Sequence, residues 1–103
     1  MSESVDTAAR TLAVLADPNR LRILRVLTGD CQHVSDIVRA TGLPQPLVSH
    51  HLRVLKDHGL AQSERQGSYV TYCCAGKEMR RTVVRIAELA QRLAVLSEEG
   101  LSR

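Results

Sequence analysis

Residues 44–60 read PQPLVSHHLRVLKDHGL, with two prolines within three residues and a glycine near the end. Proline is tolerated in the first turn of a helix, where its missing N–H costs nothing, and glycine favours a helix C-terminus. Apolar residues recur through the stretch at helical spacing. The pattern predicts a short amphipathic helix from about residue 45 to residue 58, with a stiff start and polar residues in its first turns.

Another short helix is predicted immediately upstream. We expect Ser35 to cap its N-terminus, Ile37 and Val38 to lie on its apolar side, and Gly42 to end it. Two short helices joined by a tight, glycine-containing turn form a helix-turn-helix unit. We place this unit at about residues 35–58.

The hydrophobic period changes after the unit. Residues 60–65 and 69–74 read as two strands, the second rich in Tyr, Val and Thr, and Gly67 lies in the turn between them. The sequence therefore predicts a two-stranded wing at about residues 60–74.

Further helices are predicted before and after these elements. Apolar spacing indicates terminal helices at about residues 4–16 and 77–97, and Asp17 with Pro18 begins a second helix. The last helix carries more apolar surface than one small winged unit needs. The predicted fold is mainly α with a small β component (α+β): a winged helix-turn-helix, one domain over residues 1–103, flanked by two terminal helices.

The composition is that of a small domain with a light core. The chain has 103 residues, of which 44% are apolar, and it lacks Trp and Phe. Small domains bury a smaller share of their surface, so oligomerisation is a common source of stability. The net charge of +3 is compatible with a polyanionic partner. Since no apolar stretch approaches membrane-spanning length and no secretion signal is evident, we predict a cytoplasmic protein with no membrane partner.

The helix-turn-helix pattern predicts contact with double-stranded DNA. In such units the second helix enters the major groove, where Gln pairs with adenine and Arg with guanine, while Ser and His suit phosphates or single bases. The wing tip reaches the minor groove or flanking phosphates. We expect His51, on the other side of the helix, to pack in the core. The predicted DNA-contacting residues are Gln45, Ser49, His50 and Arg53 on the helix and Arg65, Gln66 and Ser68 on the wing.

Three segments carry a resemblance to a known family. LADPNRLRILRVL, VSDIVRATGLPQPLVSHHLRVLKDHGL and RQGSYVTY are similar to successive signatures of the ArsR/SmtB family of small dimeric bacterial repressors. The resemblance covers about residues 10–75. One departure is Pro46, which stands where the family usually has a small polar residue such as Ser.

The resemblance implies a transcriptional repressor rather than an enzyme. It implies a homodimer joined through the first and last helices, an operator that is an inverted repeat, and release of that DNA when an inducer binds. The sequence also lacks a Gly-rich phosphate loop and a Cys–His pair at catalytic spacing. The residues expected at the dimer interface are Leu12, Val83, Ile86, Ala90 and Leu93.

Two inducer sites typical of the family are absent from this sequence. His33 and Ser35 stand where the thiolate sensors carry the two cysteines of their Cys-Val-Cys motif. The last helix contains no His, although other sensors of the family use Asp and His ligands there. No obligatory cofactor is predicted.

The cysteines offer another candidate site. An odd count of three, with two adjacent, argues against a disulfide framework. Since the protein is predicted to be cytoplasmic, we expect reduced thiols. In a winged helix the short strand at residues 32–34 pairs with the second wing strand, which brings Cys31 and His33 beside residues 72–74. Thiolates select soft ions such as arsenite, Cd(II) or Hg(II). We therefore predict a soft metal or metalloid site at Cys31, Cys73 and Cys74, with His33 as a further ligand.

Several alternatives remain open at the level of sequence. Neighbouring residues on a strand face opposite sides, so Cys73 and Cys74 both reach Cys31 only if the strand ends or bulges; two thiols with His33 need less distortion. The thiols could instead oxidise, or only pack as small apolar groups. The protein would then be a redox-responsive or inducer-free repressor. A more distant alternative is a metal-carrying or interaction module that does not bind DNA.

Overall fold

The computed structural model describes the backbone of residues 2–101 and the side chains of residues 4–98. It confirms the predicted mainly helical winged helix-turn-helix. The observed ends of the elements lie within about one helical turn of the predicted ones. The elements in chain order are α1 (Ser2–Leu15), α2 (Pro18–Gly29), β1 (Gln32–His33), α3 (Val34–Thr41), α4 (Gln45–Asp57), β2 (Ala61–Gln66), β3 (Tyr69–Cys74) and α5 (Gly76–Leu101).

Helix α2 begins as the sequence predicts. The Asp17 carboxylate accepts hydrogen bonds from the backbone N–H groups of Asn19, at 2.9 Å, and Arg20, at 3.1 Å. Pro18 occupies the first turn, where no donor is lost. The hydrogen bond from the Arg20 backbone N–H is the main reason why the pKa of Asp17 is lowered. Asp17 is thus an N-cap that holds one end of α2.

The predicted N-cap of α3 is wrong by two residues. The helix begins at Val34, the N-cap position is His33, and no side chain caps it, so Ser35 lies inside the helix. The reason is that β1 runs straight into α3, which leaves no loop for a Ser cap. The C-terminus agrees with the prediction: Gly42 has a φ of 72° and its N–H donates to the Val38 carbonyl oxygen. Glycine adopts this left-handed conformation without steric cost.

The three strands form one antiparallel sheet in the order β1-β3-β2. Gln32 pairs with Tyr72 and His33 with Thr71 across β1 and β3. This confirms the prediction that the short strand before the third helix lies against the second wing strand.

The core lies between α2, α3, α4 and the base of the sheet. Helices α2 and α4 both contribute residues that are fully buried, and α5 contributes Val83. One face of α4 is thus committed to the core, which leaves its opposite face outside. The largest fully buried side chains are Ile23, Leu24, Leu27, Ile37, Val48, Leu52 and Leu55.

The terminal helices leave much apolar surface uncovered in the single chain. Leu12 of α1 is 57% exposed and Leu93 of α5 is 53% exposed, whereas Val83 is buried against α2. Contiguous exposed apolar surface of this kind marks an interaction site. Other large apolar side chains exposed on these two helices are Val5, Val84, Leu89, Val95 and Leu96. In the described part of the chain, no helix is long and apolar enough to span a membrane.

Candidate DNA-binding surface and thiol pair

Helix α4 has a polar stripe alongside its buried face. Gln45, Ser49 and Arg53 follow one another at intervals of four residues, so they lie along one side of the helix. Gln45 and Arg53 are exposed and Ser49 is half-buried. His50 is exposed beside this stripe. These four residues are accessible to a groove while Val48, Leu52 and Leu55 anchor the helix.

The start of α4 is formed by its two prolines. The Pro44 carbonyl oxygen accepts hydrogen bonds from the N–H groups of Leu47, at 3.1 Å, and Val48, at 3.0 Å. Pro46 lies in the first turn, and no side chain caps the helix. The free backbone N–H of Gln45 is left at a helix N-terminus, which favours nearby negative charge.

The wing supplies the other predicted residues. Gln66 pairs with Tyr69, and Gly67, with a φ of 64°, makes the turn between the strands. Arg65, Gln66 and Ser68 are all exposed at this tip. Among the described side chains, the arginines in ion pairs are Arg20 and Arg39, so the charges of Arg53 and Arg65 are left for an external partner. Their contact with DNA remains a prediction.

His51 lies on the core side of α4, as predicted. It is 6% exposed, and its Nδ1 atom is 3.4 Å from a guanidinium nitrogen of Arg20. The same guanidinium donates a 2.6 Å hydrogen bond to the Val14 carbonyl oxygen and lies 3.9 Å from the Asp17 carboxylate. Arg20 therefore connects the end of α1, the start of α2 and α4.

The surroundings of His51 favour its neutral form. Burial is the main reason why its pKa is lowered, the positive charges of Arg20 and His50 act in the same direction, and Asp17 opposes them. A neutral ring can accept a hydrogen bond from the Arg20 guanidinium at Nδ1, whereas a protonated ring cannot.

This environment predicts a stability that rises with pH. Because the pKa of His51 is lower in the folded protein than the ordinary value of 6.5, the unfolded chain binds more protons. The contribution of neutral His51 to the free energy of unfolding is present above about pH 7 and is lost as the pH falls toward the lowered pKa. We expect His51→Gln to flatten this pH dependence in urea unfolding between about pH 5 and 7.5. The exposed control, His58→Gln, should leave it unchanged, and equal slopes for wild type and His51→Gln would contradict the assignment.

Two of the three cysteines are bonded to each other. Cys31 follows α2, and the β1–β3 register places it opposite Cys73, with a Cα–Cα distance of 4.4 Å and a disulfide between the two Sγ atoms. Cys31 is exposed and Cys73 is half-buried. The expectation of reduced thiols is wrong for this pair, because neither the cysteine count nor the predicted location tells which two thiols the sheet brings together.

The structure separates Cys74 from this pair. Cys74 is 4% exposed, and its Sγ lies 4.0 Å from the Leu24 carbonyl oxygen. Burial raises the pKa of its thiol and outweighs the opposing effect of the charge of Arg80. The three-cysteine site is thus corrected to a pair, since β3 stays regular through Cys73 and successive side chains point to opposite faces.

His33 does not complete a metal site either. Its Nδ1 atom lies 3.2 Å from the Val70 carbonyl oxygen, and its ring is 5.7 Å from the ring of Tyr69. The described residues contain no cluster of three or more potential metal ligands. One signal in the sequence could have identified the pair: Tyr72 and Cys74 alternate toward the core, which leaves Cys73 on the other face.

The disulfide should stabilise the fold. It joins residues 42 positions apart, so it restricts a long loop in the unfolded chain. We expect reduction to lower the free energy of unfolding by about 2–4 kcal/mol, measured by urea denaturation at fixed protein concentration with and without reductant. Cys31→Ser should be insensitive to reductant. A wild-type protein whose stability does not change on reduction would refute this prediction.

Comparison with known proteins agrees with this geometry. A short helical pair, a wing and an exposed polar stripe on the second helix define a winged helix-turn-helix regulator. The model of the arsR family of bacterial regulatory proteins matches residues 17–63. A solved structure with the same fold is the homodimeric winged helix-turn-helix DNA-binding domain of Mb0332 from Mycobacterium bovis. It superposes with a TM-score of 0.81 at 30% sequence identity, and the matched region is 90% of this chain and 86% of that domain. The chain belongs to the ArsR family.

Curated relatives lead to the same family. The transcriptional repressor SmtB of Mycobacterium tuberculosis is 38% identical over 82 residues, which are 80% of this chain and 61% of SmtB. A mercury resistance operon repressor of Streptomyces lividans is 37% identical over 67 residues, 65% of this chain and 54% of that protein. The chain thus spans little more than half the length of these two relatives. They are regulators and not enzymes, in agreement with the sequence-based prediction.

Proposed function

We propose that the protein is a homodimeric transcriptional repressor that binds an inverted repeat in double-stranded DNA. The observation that carries this proposal is the accessible stripe of Gln45, Ser49 and Arg53 on a helix whose other face is fixed in the core. In the major groove, Gln can both donate to and accept from adenine in a bidentate contact, and Arg can donate two hydrogen bonds to guanine. With its exposed Arg65, the wing is suited to a phosphate or the minor groove.

The exposed apolar faces of α1 and α5 support a dimer. A second copy that covers Leu12, Ala90 and Leu93 would remove a large apolar surface from water. Val83 is already buried and Ile86 is half-buried within the single chain, so these two residues would support the interface from behind. The M. bovis domain of the same fold is homodimeric. Two-fold symmetry would place two α4 helices on one face of the DNA, in successive major grooves.

A thiol-directed inducer fits the pair Cys31 and Cys73 in its reduced form. With two thiolates available and Cys74 in the core, the pair favours an ion satisfied by two sulfur ligands, such as Hg(II), over Cd(II) or arsenite with larger thiolate sets. The similarity to a mercury resistance operon repressor points in the same direction. A protein that works on DNA in the cytoplasm meets reducing conditions, in which these thiols are free to bind.

The DNA-binding role is tested by fluorescence anisotropy on the duplex upstream of the gene. Arg53→Ala should weaken binding by about tenfold, because a bidentate base contact contributes about 1–3 kcal/mol. Arg65→Ala should weaken binding to all sequences and reduce the salt dependence by about one unit of slope. Arg92→Ala, an exposed arginine near the far end of α5, is the control. Absence of salt-dependent binding by the wild type would favour a metal-carrying module instead.

The inducer is tested on the reduced protein bound to the same duplex. Hg(II) should release the DNA from the wild type and from Cys74→Ala, but not from Cys31→Ser or Cys73→Ser, because each of these lacks one sulfur ligand. Zn(II) serves as the comparison ion. Equal release from all four proteins would show that the ion acts elsewhere, and the cysteine pair would then lose this role.

A further inference from the structure

All residues of the predicted DNA-binding surface lie, in sequence, within the loop that the disulfide closes. Cys31 and Cys73 are 42 positions apart, and every residue predicted to contact DNA lies between them. We propose that this pair is a reversible redox switch, in which formation of the Cys31–Cys73 disulfide lowers the affinity of the dimer for its operator. The inference rests on the proposed repressor function, but it concerns a different signal from a bound metal ion.

One end of the crosslink lies in a junction and the other near the end of a strand. Cys31 lies between α2 and β1, and Cys73 is the penultimate residue of β3, three residues before the start of α5. The chain turns into α5 at Gly76, the first residue of that helix, whose φ is 89°. The bond therefore joins the segment after α2 to the end of β3, close to the point from which the dimerisation helix departs. A crosslink here acts on the orientation of the DNA-binding unit relative to α5.

The orientation matters because a dimer has to match two half-sites at once. The spacing and tilt of the two α4 helices depend on how each winged unit lies on its own α5 helix. We infer that the reduced junction lets the units adjust to the DNA, whereas the crosslinked junction holds them in an arrangement that fits less well. The affinity changes only by the difference in free energy between these two states in their binding to DNA.

The chemistry uses a peroxide as oxidant. The thiolate of Cys31, the more exposed of the two, attacks one peroxide oxygen; the O–O bond breaks, and Cys31 becomes a sulfenic acid with release of water or an alcohol. The thiolate of Cys73 then attacks the Cys31 sulfur, the S–O bond breaks, and a second water leaves as the disulfide forms. Two thiols are thus oxidised by two electrons and one peroxide is reduced. A dithiol reductant reverses the step by thiol–disulfide exchange.

The third cysteine provides a matched comparison within the same chain. Cys74 is adjacent in sequence, but it is buried on the core face of β3, and burial raises the pKa of its thiol. Thiolate character and access govern oxidation, so Cys74 should stay reduced when the pair oxidises.

Two measurements on the full chain test the proposal. Alkylation and mass spectrometry after treatment with hydrogen peroxide should show Cys31 and Cys73 joined and Cys74 free. Fluorescence anisotropy on the upstream duplex should show binding by the reduced protein, affinity weaker by about tenfold after oxidation, and recovery with reductant. Cys31→Ser and Cys73→Ser should bind like the reduced wild type and ignore peroxide, while Cys74→Ala should respond like the wild type.

The outcomes separate the switch from the repressor function. If the reduced protein does not bind the duplex, the repressor proposal fails, whatever the thiol analysis shows. If the reduced protein binds and the crosslinked protein binds equally well or better, the switch is refuted and the repressor function stands. Failure of peroxide to join Cys31 and Cys73 refutes the switch independently of DNA. A peroxide response that survives in Cys31→Ser and Cys73→Ser would also overturn it.

Discussion

The antiparallel pairing of β1 with β3 is the contact on which the arrangement of the thiols and the wing depends. Only two residue pairs form it, Gln32 with Tyr72 and His33 with Thr71. Because side chains alternate across a strand, this register directs Cys73 toward Cys31 and Cys74 into the core. A shift by one residue would turn Cys73 toward the core and Cys74 toward Cys31. The buried environment of Cys74 and the accessible pair are therefore two consequences of one register.

Helix α4 obeys a similar constraint. Val48, Leu52 and Leu55 bind it to the core, so only the remaining side can be offered to a ligand. His51 lies at the edge of the buried face and is held by Arg20 rather than by another apolar group. Truncation of a buried polar residue that has a partner leaves that partner unsatisfied. The polar stripe of α4 is thus oriented by the contacts of the neighbouring buried face.

The sequence was sufficient to predict the architecture, because the elements are marked by local signals. Asp17 with Pro18 predicts the start of α2, Gly42 the end of α3, and Gly67 the turn of the wing. The start of α3 was missed, since Ser35 has the chemistry of a cap but the preceding strand leaves it no place to act as one. The identity of the paired cysteine was missed for another reason. It depends on the register of a two-residue strand, and cysteines at two adjacent positions mean that either register would bring one of them to Cys31.

Helix α2 links the features that the chain uses for stability and for its proposed function. Its first turn is capped by Asp17 and contacts α4 through the pair Arg20 and His51. Its buried face packs in the core, and its last residue lies two positions before Cys31. It also packs against α5, the helix that carries the exposed apolar face. Helix α2 is therefore in contact with both α4 and α5. In the proposed dimer, a change at Cys31 that shifts α2 would act on these two helices together, and their arrangement would determine the spacing of the two proposed DNA-binding surfaces.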